Sequence, residues 1–128
     1  MRSFVKNYMI DQKLNCAETI LHAAADAWKL DVPAEAYHAV GPYGGGMGCG
    51  NTCGALLGAL AALGVRDIKT DAHQTEGLRE EAGNFVKDFT ERFGSTQCTE
   101  LKEKYADPDV RCLHLVEEVA DLLETYKK

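Results

Sequence analysis

The stretch DAHQTEGLREEAGNFVKDFTERF, residues 71–93, decides the fold class. Leu78, Ala82, Phe85, Val86, Phe89 and Phe93 recur at spacings of three and four, which lines them along one stripe of an α-helix. Gly94 follows as a helix stop. A half-buried strand would alternate apolar and polar residues every second position, and no segment of the chain does so with strand punctuation. Downstream, Ser95 or Thr96 is placed to cap a short helix carrying Cys98, Leu101 and Tyr105. Asp107-Pro108 reads as the cap and first position of a last helix with Val116, Val119, Ala120 and Leu123 on its core face. Upstream, Asn15 and Glu18 form a capping box ahead of Ile20, Leu21, Ala24, Ala27 and Trp28, so a helix should run to Lys29 or Leu30. Pro33 to Val40 can form a short helix, with Pro33 at its first position. Gly41 to Gly50 holds six glycines and a proline, the chemistry of a loop. Asn51 or Thr52 then caps a helix ending near Gly64. The expectation is an all-α bundle of about six helices, two of them short, with a Gly-rich loop before the central helix, in a single domain spanning 1–128.

Composition bounds the function. A chain of 128 residues with 45% hydrophobic and 27% charged residues is an ordinary globular domain, not a disordered segment. The net charge of -6 leaves no excess of Lys or Arg to neutralise phosphates, so nucleic acid and anionic membrane surfaces are not expected partners. The most apolar stretch, Gly54 to Val65, is far short of the roughly 20 residues a membrane span needs. The first residues, Met1 to Tyr8, carry no apolar core of a secretory signal, and the expected location is cytoplasmic. Short helices and an acidic surface leave room for a homodimer.

Five cysteines are an odd number, so disulfides within one chain cannot use them all. In a reducing cytosol such cysteines more often bind metal or react than form structural bridges. Four of them, Cys16, Cys53, Cys98 and Cys112, fall at or near the expected helix starts. Unpaired backbone N–H groups and the positive end of the helix dipole favour thiolate over thiol there. For a single cysteine, a small buried hydrophobe is the simpler reading; four placed this way point to function.

The loop Gly41-Pro42-Tyr43-Gly44-Gly45-Gly46-Met47-Gly48-Cys49-Gly50 can wrap close to a ligand. Gly45, Gly46, Met47 and Gly48 are the candidate cofactor-contacting positions. The loop has the glycine gap of a phosphate loop, but Asn51 stands where the lysine is needed and no strand precedes it, so nucleotide binding is rejected. Cys49 and Cys53 are four apart, which is neither the C-x-x-C redox spacing nor a covalent-haem motif. His22, His38, His73 and His114 each stand alone and read as surface or core histidines, with His22 the best placed of them as a ligand. The small residues Gly54, Ala55, Gly58, Ala59 and Ala62 make the central helix narrow, so neighbouring helices can approach Cys53 closely.

Asn15-Cys16-Ala17, the Gly44-to-Gly48 run, Cys53-Gly54-Ala55-Leu56-Leu57-Gly58, Cys98 with Glu100-Leu101 behind it, and Cys112 together resemble the C-GCAxxG-C-C family of small redox-active proteins. The resemblance spans about residues 14 to 120, and its four motif cysteines carry over to Cys16, Cys53, Cys98 and Cys112. Cys49 lies outside that set. The family also resembles the cysteine-bearing part of split-Soret cytochromes, in which an iron–sulfur centre is suspected; the haem-binding sequence of those proteins is missing here. The resemblance implies redox activity and names no substrate. Three functions then compete. The first is electron transfer through an iron–sulfur cluster on Cys16, Cys53, Cys98 and Cys112, with a redox protein as partner. The second is a thiol–disulfide oxidoreductase without cofactor, in which Cys53 attacks and Cys49 or Cys16 resolves. The third is a structural zinc site made by four cysteines, which the lack of paired C-x-x-C knuckles disfavours.

Overall fold

A computed structural model describes residues 1–128. It contains seven α-helices and no strand: α1 (Arg2–Lys6), α2 (Cys16–Trp28), α3 (Ala34–Val40), α4 (Gly54–Asp67), α5 (Leu78–Phe93), α6 (Cys98–Tyr105) and α7 (Leu113–Glu124). The all-α expectation holds, with one helix more than the six read from sequence. The extra one is α1, a single short helix continued by a π-helical turn at Asn7–Asp11. It buries Val5 and Met9 and packs along α7.

Three helices form the centre, α2, α4 and α7, and they run in the same direction. Cys16, Cys53 and Cys112, at their starts, line one cavity. Trp28, Arg66 and Glu124, at their ends, meet in one polar cluster: Trp28 Nε1 donates to Glu124 Oε2 at 3.2 Å, and Arg66 stacks 4.8 Å above the Trp28 ring. Helices of 13, 14 and 12 residues place these two ends about 20 Å apart. α5 starts beside the polar cluster, where Glu81 accepts from Arg66 Nη2 at 2.9 Å, and carries the chain back toward α6. Its Phe85, Phe89 and Phe93 are buried in the apolar core, which joins 25 residues into one continuous cluster. No helix is long and apolar enough to cross a membrane.

The contact between α2 and α4 explains a sequence detail. A Cβ added at Gly58 would lie 2.5 Å from the Ala17 carbonyl oxygen, so only glycine lets the backbones of α2 and α4 approach this closely. The capping box of α2 forms in full: Asn15 Oδ1 accepts from Glu18 N, and Glu18 Oε1 accepts from Asn15 N, both at 3.0 Å. Other boundaries move. Residues 71–77 are turns, and α5 begins only after Gly77, which is left-handed at φ 79°. Pro33 is the cap of α3 rather than its first helical residue. α4 is preceded by Cys53, without a side-chain cap from Asn51 or Thr52, and extends past Gly64 to Asp67. Asp107 accepts from the N–H groups of Asp109 and Val110, but it caps a turn, and α7 starts at Leu113.

Candidate functional site

Cys16 and Cys98 are the first residues of α2 and α6, and Cys53 and Cys112 immediately precede α4 and α7. All four line one cavity of about 150 Å³. Each is held by a different local device. Cys16 follows the capping box, and Asn15 also donates from Nδ2 to the Gly41 carbonyl at 2.8 Å, tying the start of α2 to the glycine loop. Cys53 and Cys98 sit on two antiparallel backbone segments. Thr52 and Gln97 bridge, Cys53 N donates to Thr96 O at 2.8 Å, and Cys98 N donates to Asn51 O at 2.6 Å. This pairing takes the place of the side-chain caps expected for α4 and α6. Cys112 follows a tight turn closed by reciprocal 2.8 Å bonds between the backbones of Asp107 and Arg111.

The glycine after Cys53 has a direct reason. A Cβ on Gly54 would lie 2.6 Å from Cys16 Sγ and 2.9 Å from the Tyr43 carbonyl oxygen. Gly54 therefore makes the space that the Cys16 sulfur occupies, while Gly58 one turn later sets the spacing of the two helices. The loop itself turns left-handed, with positive φ at Gly45, Gly46, Met47 and Gly48. Gly45 lines the cavity, and its N–H faces the Cys16 sulfur. Gly46 is buried against Cys98 and Asn51. Met47 and Gly48 are exposed and line no part of the cavity. Cys49 is exposed too, with its thiol 3.6 Å from the Gly46 carbonyl and outside the cavity.

Burial disfavours the thiolate form at Cys16, Cys53 and Cys112. Burial pushes Cys53 up to about 12, against the pull of the Leu56 and Ala55 N–H groups. Burial likewise raises Cys16, opposed by the Gly45 N–H, and raises Cys112, opposed by Lys102 and Arg111. The helix starts act in the expected direction, but desolvation is the larger effect. A resting low-pKa nucleophile at Cys53 draws no support from this. As the side chains stand, no three His, Cys, Asp or Glu residues are grouped to hold a single ion, so a closed tetrahedral zinc site is not preformed.

The histidines lie elsewhere. His22 is sandwiched between the Tyr8 and Tyr37 rings, at centroid distances of 4.5 and 3.6 Å. His38, His73 and His114 are exposed, and none of the four lines the cavity. The sequence reading passed over Lys102 and Arg111, the two charged residues of the cavity wall. Their positions were detectable: Lys102 is one helical turn after Cys98, and Arg111 directly precedes Cys112.

A helical bundle with four cysteines from four helix starts around one cavity defines the class. Residues 14–126 match the family described as "Putative redox-active protein (C_GCAxxG_C_C)". The match covers most of the chain, and the chain belongs to that family. No curated protein and no solved structure matches it.

Proposed function

We propose that the protein transfers electrons through an iron–sulfur cluster held by Cys16, Cys53, Cys98 and Cys112. The observation that carries this reading is the convergence of these four cysteines, far apart in sequence, on one cavity. The donor set fits the group: four sulfur ligands suit iron–sulfur chemistry, and a cluster spreads its ligands more widely than one ion does. Bound there, the cluster would accept and release electrons.

The chain's own residues supply the surroundings. Three parallel helices aim their positive ends at the cavity, which favours the negative charge of ligating thiolates. The N–H groups of Gly45, Ala55 and Leu56 face Cys16 and Cys53, and hydrogen bonds to ligating sulfur raise a potential. Leu101, Leu115, Val116 and Ala55 form an apolar wall that limits water. A redox protein is the expected partner, because the cavity lies at one end of the bundle near exposed Tyr43 and Met47.

The test is anaerobic reconstitution with iron and sulfide, followed by visible absorption before and after a chemical reductant. A coloured protein whose bands bleach and return on reoxidation supports the reading. A protein that stays colourless with four free thiols removes it.

A further inference from the structure

We propose that the sulfur cavity, with its thiols free, is an anion-selective binding site, and that the small reactant it admits is an anion. The inference rests on the preceding reading only in taking this cavity as the reactive site; it does not depend on iron. The chain carries 20 acidic and 14 basic residues, yet the only charged side chains lining the cavity are Lys102 and Arg111. Neither forms an ion pair, whereas Arg2, Arg66, Arg92 and Lys128 all do.

Arg111 is fixed in place. Its guanidinium donates to the carbonyls of Met9 and Leu14, which orients the group without neutralising it. Lys102 is exposed on α6, one turn beyond Cys98. Both cations line the same cavity as Cys112, and Arg111 directly precedes it in the chain. Both are exposed, and the rest of the wall is apolar apart from Asn15 and the thiols, so no carboxylate of the lining competes with an anion for these two charges. A cavity of about 150 Å³ is of the size that holds a benzene-sized ligand. That volume has room for a small carboxylate and is too small to enclose a nucleotide.

The experiment compares two alkylating probes on the reduced, metal-free protein: iodoacetate, which is anionic, and iodoacetamide, which is neutral. In both, a thiolate sulfur attacks the methylene carbon, the C–S bond forms as the C–I bond breaks, and iodide leaves; the thiol proton has already passed to solvent. Peptide mass analysis gives the rate at each cysteine. The ratio of the two rates cancels changes in thiolate fraction and exposure. In Lys102→Gln the ratio at Cys112 and Cys16 should fall roughly two- to four-fold, the effect of one unit charge several ångströms away in a watery medium. It should also fall as salt is raised, while the ratio at exposed Cys49 stays constant in the variant. Arg111→Gln should act in the same direction, and Arg111→Lys should keep most of the wild-type ratio. A ratio at Cys112 and Cys16 that ignores both Lys102→Gln and salt overturns the inference. Because no iron is present, that outcome is separate from any failure to assemble a cluster.

Discussion

The two ends of the α2–α4–α7 core are built on opposite principles. At the C-terminal end the charges are paired. Arg66 bonds Asp67 and Glu81 at 2.7 and 2.9 Å, reaches the Tyr126 carbonyl and lies over Trp28, while the N-terminal ammonium bonds Glu124 at 3.0 Å. At the N-terminal end there is no ion pair among the cavity residues. Four sulfurs, a left-handed glycine turn and two unpaired cations stand there instead. One end closes the bundle; the other leaves its polar capacity unused. The contrast teaches where stability and function reside, since the helix dipoles place positive potential at the sulfur end and negative potential at the end that Arg66 and the N-terminus neutralise.

The contrast can be broken most severely at Arg66. Its side chain is only 10% exposed, and removing it leaves Asp67 and Glu81 with the exposed Lys128 ammonium as their one remaining cation, at 3.2 and 3.7 Å. Arg66→Ala should cost about 3 kcal/mol in urea unfolding, with the reactivity of the cavity cysteines unchanged under native conditions. Acid should reach the same end next. The Arg66 guanidinium holds Asp67 down at about 2, below its ordinary value of 3.8. A depressed carboxylate stabilises the fold above its unfolded pKa and loses that contribution as pH falls through the folded one. Stability should therefore drop by about 2 kcal/mol between pH 4 and pH 2, and Asp67→Asn should flatten that limb of the profile. An unchanged profile in Asp67→Asn means that other carboxylates carry the acid sensitivity.

Gly54→Ala strikes the sulfur end. The added methyl meets Cys16 Sγ, so stability should fall by roughly 1–3 kcal/mol and iron uptake on reconstitution should fall with it. Full iron uptake in this variant would show that the Cys16 sulfur has freedom to move. The smallest effect is expected between the two ends. Thr19 is fully buried, and its hydroxyl has no hydrogen-bond partner. Thr19→Val should raise stability by about 1 kcal/mol, measured by thermal and urea unfolding, and a loss would reveal a partner for that hydroxyl.

Local chemistry made much of the fold legible. The capping box of Asn15 and Glu18 marks the start of α2 at the right residue, and the Phe85, Phe89 and Phe93 stripe ends at Gly94 as the helix does. Contacts between distant residues were not legible. Asn51 and Thr52 look like caps, but their backbones are committed to the Thr96–Cys98 segment, a pairing that no local pattern announces. α1 was missed because five residues give too short a pattern to separate helix from irregular chain, and its helical character depends on packing against α7. At the site, the cysteines stood out as helix-start residues, whereas Met47 and Gly48 were grouped with Gly45 because sequence does not say which side of a left-handed turn faces inward. The raised thiols could not be anticipated either, since burial is set by the finished fold.

Iron and acid-labile sulfide analysis of anaerobically reconstituted protein, run beside the five single Cys→Ser variants, tests the account most directly. Iron and sulfide should be bound by the wild type and by Cys49→Ser, and should be lost or sharply reduced in the variants at Cys16, Cys53, Cys98 and Cys112. Full iron and sulfide in any two of those four, or loss confined to Cys49→Ser, contradicts a centre shared by the sulfurs of this cavity.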